Sequence, residues 1–103
     1  MRLREIAHSR TGDKGDTANI SVIAYYARDY TLLERHVTAE RVKELFHGIV
    51  AGEVVRYSLP RIGALNFVLE GALGGGVTRS LALDAHGKSL SSAILGLELP
   101  DSV

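Results

Sequence analysis

The stretch Ala64-Leu65-Asn66-Phe67-Val68-Leu69-Glu70-Gly71-Ala72-Leu73 decides how the rest of the chain is read. It is apolar almost all round, broken only by Asn66 and Glu70, which stand four residues apart and so share one face of a helix. That pattern predicts a buried helix with a single polar stripe, closed by Gly74 as its C-cap. Upstream, Glu53 to Leu59 alternates with period two, placing Val55, Tyr57 and Leu59 on one face. Pro60 stops the run, and a strand is predicted there. Downstream, Gly74-Gly75-Gly76 lead into a further predicted strand at Val77 to Leu83, and Asp84-Ala85-His86-Gly87 reads as a turn.

Further out, Asn19 to Tyr26 is rich in β-branched and aromatic residues, with both faces partly apolar, as in a central strand. A buried helix shares that signature at this length. Leu3 to His8 reads as a short strand with imperfect alternation, followed by the loop Gly12-Asp13-Lys14-Gly15-Asp16. Thr31-Leu32-Leu33-Glu34 fits a capping box, in which hydroxyl and carboxylate satisfy each other's orphan amides. A better helix begins at Thr38, with Val42, Leu45, Phe46 and Ile49 forming one apolar stripe, ended by Gly48 or Gly52. Ser91 to Leu95 reads as a turn of helix before a last short strand at Leu97 to Leu99. Strands and helices are mixed without strict alternation. The order predicts an α+β ferredoxin-like sandwich, a mainly antiparallel sheet with two main helices on one face.

The chain has 103 residues, 46% of them hydrophobic and 23% charged. That fits a single domain over residues 1–103, burying about two-thirds of its unfolded surface. Twelve basic and twelve acidic residues give a formal net charge of zero. Such a balance argues against nucleic acid or an anionic bilayer as partner, and leaves little self-repulsion to oppose association. With no cysteine in the chain, disulfides, thiolate catalysis and zinc-thiolate sites are excluded. Met1-Arg2-Leu3-Arg4-Glu5 lacks the apolar core of a signal peptide, and Ile20 to Ala27 is too short to span a membrane. A soluble cytoplasmic protein is expected. His36, His47 and His86 follow no metal-ligand spacing, so no metal is expected.

Arg79 is placed unusually: period two puts it on the face of Val77, Leu81 and Leu83. An arginine among core-facing positions needs a partner. Either Glu70 or Asp13 supplies a structural counter-ion, or the guanidinium reaches solvent, or its planar fork binds a carboxylate or phosphate. In the last case the preceding glycines, Gly75 among them, allow a ligand to approach the backbone. The Gly12–Asp16 loop offers a comparable choice. Amides between glycines form an anion nest to which Lys14 adds charge, or Asp13, Asp16 and Asn19 simply bond local amides. Neighbours on a strand face opposite ways, so His8 does not activate Ser9. His8 with Asp13 or Asp16 is a candidate acid-base pair across a loop. Asn66 and Glu70 are either site residues or the wet stripe of their helix.

Two segments carry a resemblance. His8-Ser9-Arg10-Thr11-Gly12-Asp13-Lys14-Gly15-Asp16-Thr17-Ala18-Asn19-Ile20 and Leu65-Asn66-Phe67-Val68-Leu69-Glu70-Gly71-Ala72-Leu73-Gly74-Gly75-Gly76-Val77-Thr78-Arg79-Ser80-Leu81 are similar to the AtuA-like small domain. That domain occurs at the C-terminus of acyclic-terpene-utilisation proteins and as a separate short chain. The resemblance covers about Ile6 to Leu99 and implies a ferredoxin-like fold. It also implies a setting in catabolism of terpenoid or branched acids as CoA thioesters, next to a larger chain. On this reading the chain is an accessory subunit whose glycine-rich loops join a shared site, with Lys14, Asn66, Gly75 and Arg79 binding ligand. Two alternatives stand beside it. One is a stand-alone enzyme or ligand-binding homo-oligomer using His8 or Asp13 as acid or base. The other is a structural assembly domain. No cofactor is identified, and a CoA thioester enters only as substrate.

Overall fold

Three antiparallel pairings around two central strands organise the domain. In the computed structural model, which describes residues 1–14, 17–47, 50, 52–71 and 88–101, four strands form one sheet. They are β1 (Ala7–Lys14), β2 (Thr17–Ala24), β3 (Val54–Leu59) and β4 (Ala64–Glu70). The spatial order is β1-β2-β4-β3, and every neighbouring pair is antiparallel. The helices are α1 (Tyr30–His36), α2 (Ala39–Leu45) and α3 (Lys88–Leu95), with single 3-10 turns at Leu3–Glu5, Ala27–Asp29 and Pro60–Ile62. The α+β class with an antiparallel sheet, expected from the sequence, is what the chain adopts.

The register sorts the strands into two faces. On one face, Ala7, Ala18, Ile20, Val22, Leu65, Phe67 and Leu69 join a single buried cluster with Leu32, Leu33, Val37, Val42, Phe46, Leu90 and Ile94 of the helical layer. All three described helices therefore cover the same side of the sheet. Phe67 is the largest of the fully buried side chains, and truncating such a residue to Ala costs about 3–5 kcal/mol. The other face carries His8, Arg10 and Gly12 of β1, Thr17, Asn19, Ser21 and Ile23 of β2, Ala64, Asn66, Val68 and Glu70 of β4, and Val55, Tyr57 and Leu59 of β3. Among the described residues no helix packs on it.

Several local expectations change. Ala64–Glu70 is a strand, not the front of a helix. Because it is central, it is apolar on both faces, and such a run looks the same as a buried helix. Asn66 and Glu70 still share a face, since a separation of four is even in a strand as well as one turn in a helix. The short strand assigned to Leu3–His8 is instead a 3-10 turn followed by β1, so Gly12, Asp13 and Lys14 are ladder residues, not loop. Strand β2 starts and ends two residues before the expected span. Helix α1 begins at Tyr30 with Asp29 at its N-cap and no side-chain cap, so Thr31 lies inside the helix. Glu34 accepts instead from the Tyr30 hydroxyl at 3.3 Å.

Helix α2 begins after Thr38, whose Oγ1 accepts from the Arg41 amide at 3.2 Å. It stops at Leu45, short of Gly48 and Gly52. Gly52 instead lies against β4, its amide donating to the Glu70 carbonyl at 2.9 Å. The expected final strand at Leu97–Leu99 is reduced to an isolated bridge between Arg2 and Glu98. The strand expected at Val77–Leu83 and the turn after it lie outside the described residues.

The two chain ends are clasped together. The Met1 amine donates to the Leu99 carbonyl at 2.8 Å and to Asp101 Oδ1 at 3.1 Å, and the Leu99 amide donates back to the Met1 carbonyl at 2.7 Å. Arg56 of β3 makes the matching tie at the helix layer. Its Nη1 donates to the carbonyls of Glu34 at 2.7 Å and Val37 at 2.9 Å, closing the C-terminal end of α1.

Candidate functional site at the open face and hairpin end of the sheet

The hairpin β1–β2 is built so that Lys14 pairs with Thr17, leaving residues 15 and 16 to join the strands. Thr17 pairs on its other side with Glu70, the last residue of β4. The chain leaves β4 through Gly71, whose φ of 74° is a left-handed conformation that favours glycine. One end of the sheet thus gathers the Gly12–Lys14 flank of the first glycine-rich segment and Gly71, where the second begins. Gly75 and Arg79 lie beyond Gly71, outside the described residues. For Asp13 and Lys14 the backbone placement in β1 is described.

The open face is crossed by a polar row. Read across the sheet, Arg10 stands opposite Ser21, Ser21 opposite Asn66, and Asn66 opposite Tyr57. The Ser21 hydroxyl donates to Asn66 Oδ1 at 3.1 Å, which turns the Asn66 amide nitrogen into a spare donor. Arg10 is exposed and Tyr57 is 54% exposed. The row therefore presents guanidinium, amide and phenol groups together, and anionic or carbonyl oxygens complement it. Flanking it are His8, Ile23, Ala64 and Leu59 on one side and Gly12, Asn19, Val68 and Val55 on the other. The His8 ring stacks on Tyr25 with 5.2 Å between centroids.

Of the sequence candidates, His8 and Asn66 share this face, in adjacent rows. His8 and Asp13 are not brought together. They occupy opposite-facing positions of one continuous strand, five residues or on the order of 16 Å apart. Ser9 faces the other way from His8, and its Oγ is buried with no hydrogen-bond partner among the described residues. No cluster of three His, Cys, Asp or Glu occurs among the described residues, and no helix there is long and apolar enough to cross a membrane.

Sequence reasoning missed Arg10, Ser21 and Tyr57 as a set. The alternation of Val55, Tyr57 and Leu59 was the available signal, but it points away from the core, not into it. Half-exposed Tyr57, Val55 and Leu59 project from an edge strand whose core-face positions include Arg56 and Ser58. One concavity of about 320 Å³ is lined by Ser58, Leu59, Pro60, Arg61 and Ile62. Another, of about 240 Å³, lies on the helical side at Arg41, Glu44, Leu45 and Leu97. Neither contains the polar row.

An antiparallel sheet with helices on one face and, among the described residues, none on the other defines a small α+β ferredoxin-like domain. The match to the AtuA ferredoxin-like domain family extends over residues 1–100, and the chain belongs to that family. No curated protein and no solved structure matches it.

Proposed function

We propose that the chain is a cytoplasmic accessory subunit of an AtuA-type catabolic system acting on terpenoid or branched acyl (CoA) compounds, contributing its glycine-rich segments to a site shared with a larger chain. The Thr17–Glu70 pairing is the observation that carries this reading, because it sets the flanks of both glycine-rich segments side by side at one end of the sheet. Polar residues and glycines beside strand ends are where rigid scaffolds present sites. In this arrangement Lys14 and Arg79 hold an anionic carboxylate or phosphate, and Gly75 admits it close to backbone. Asn66 orients the acyl end, and His8 or Asp13 moves a proton; their separation means that only one of them serves at a given atom. Family membership supports the larger-chain setting.

The test is reconstitution with the larger AtuA-type chain. A complex of fixed ratio is expected, with turnover of a branched acyl-CoA lowered at least about tenfold by Arg79→Ala or Lys14→Ala while the complex persists. Absence of a complex, or full turnover in both variants, overturns the proposal.

A further inference from the structure

We infer that the open sheet face is the interface of a two-fold homodimer in which Arg10 of each copy lies on Tyr57 of the other. The inference rests on the fold alone and is an alternative to a ligand role for His8 and Asn66, which the dimer covers. The face carries the residue types that dominate protein interfaces, an exposed arginine and a half-exposed tyrosine beside Val55, Leu59 and Val68. Neither of the two concavities described above takes in Arg10, Ser21 or Asn66, and a face without a pocket suits another protein surface better than a small ligand.

The occupant follows from how groups are distributed across the four strands. Arg10 lies on β1, one edge of the described sheet, and Tyr57 on β3, its opposite edge, in the same row. A two-fold axis parallel to the strands, between β2 and β4, turns β1 of one copy onto β3 of the other while keeping each row aligned with itself. Arg10 then meets the aromatic face of Tyr57 twice, a cation–π contact. Ser21 meets Asn66. Gly12, which has no side chain, meets Val55, and His8 meets Leu59. An axis perpendicular to the strands instead stacks β1 on β1 and brings the Arg10 cations toward each other. The face is thus complementary to itself in one orientation and not in the other, as an isologous contact requires.

Zero net charge removes long-range repulsion between copies. Four strands at about 4.8 Å and seven residues at about 3.3 Å give a face of roughly 19 by 23 Å. Two copies bury on the order of 900 Å² in projection, and more with the relief of Tyr25, Tyr57 and Leu59 included. That lies below the roughly 1,200 Å² at which specific interfaces begin, so a weak, concentration-dependent dimer is expected.

Sedimentation velocity on the 103-residue chain between about 1 and 200 µM is the test, with folding of each variant checked by circular dichroism. The parent is expected at twice its 11.1 kDa chain mass, dissociating toward monomer at the dilute end. Arg10→Glu and Tyr57→Lys each weaken the dimer at least about thirtyfold. Mixing the two variants restores association, because one contact becomes Glu against Lys while the other stays Arg against Tyr. Arg10→Gln and Tyr57→Ser replace either variant that fails to fold and each weakens the dimer alone. The inference is overturned by a monomer at 200 µM, by a dimer indifferent to both positions, or by mixtures that stay monomeric. A monomer that uses Tyr57 to bind the larger chain also overturns it and gives the face to a different partner.

Discussion

Replacing Arg56 tests the tie that fastens the helical layer to the sheet edge. Helix α1 has seven residues, too few to hold itself together in water, and its last carbonyls lack partners within the helix. One nitrogen of Arg56 answers two of them, at Glu34 and Val37, and places a cation at the negative end of the helix dipole. Arg56→Met keeps the apolar stem and removes the donors. Hydrogen bonds from a charged group contribute about 1.5–3 kcal/mol each, but the bond to Glu34 is open to solvent. Screening there reduces the sum to about 2 kcal/mol. For a domain of about 100 residues this lowers Tm by roughly 8–16 °C. The urea midpoint falls by about 1 M at an m of about 2 kcal/mol/M. Arg56→Lys recovers part of the loss, since an ammonium keeps the charge and lacks the fork. A Met variant within 0.5 kcal/mol of the parent, in thermal and urea unfolding alike, refutes the reasoning.

Two further outcomes concern the frame of the fold. A Cβ at Gly52 would sit 2.7 Å from the Glu70 carbonyl oxygen, whereas one at Gly63 would meet nothing nearer than the Ala24 Cβ at 3.9 Å. Gly52→Ala is therefore expected to cost about 1–3 kcal/mol as backbone is forced apart. Gly63→Ala costs about 1 kcal/mol, from its φ of 64°; urea unfolding that reverses this order contradicts the packing argument. At the clasped ends, the hydrogen bond to Asp101 raises the Met1 amine above its ordinary 8.0. Desolvation opposes it, and the charges of Asp101, Glu98 and Glu5 reinforce it. A folded value above the unfolded one stabilises fully below about pH 8 and is lost as pH rises through the raised value. Tm is expected to fall more steeply from pH 8 to 10 in the parent than in Asp101→Asn, and equal slopes argue against the clasp.

How far the sequence speaks for itself varies from element to element. The stripe through Val42 and Phe46, with Thr38 ahead of it, identified α2 because an amphipathic helix and its cap are written in local spacing. Val55, Tyr57 and Leu59 identified β3 through period two, yet the same letters describe an inward or an outward apolar face. Only the pairing with β4 sets Arg56 toward α1 and Tyr57 toward the open side. In the candidate site, His8 and Asn66 were legible as polar residues beside glycine-rich segments. Their common face was not, because it depends on the β1–β2 ladder together with the β2–β4 ladder, which joins Ser21 to Asn66, 45 positions away.

By itself the sequence determined the α+β class, the AtuA-like motifs, the charge balance and the absence of cysteine, all properties of composition and near-neighbour order. The tertiary structure decided that Ala64–Glu70 is a strand, that Gly12–Lys14 belong to a ladder, and that Arg10, Ser21, Asn66 and Tyr57 form one row. A segment apolar on both faces satisfies a buried helix and a central strand equally. What breaks the tie is the set of long-range hydrogen bonds available to it, and those exist only once the sheet has assembled.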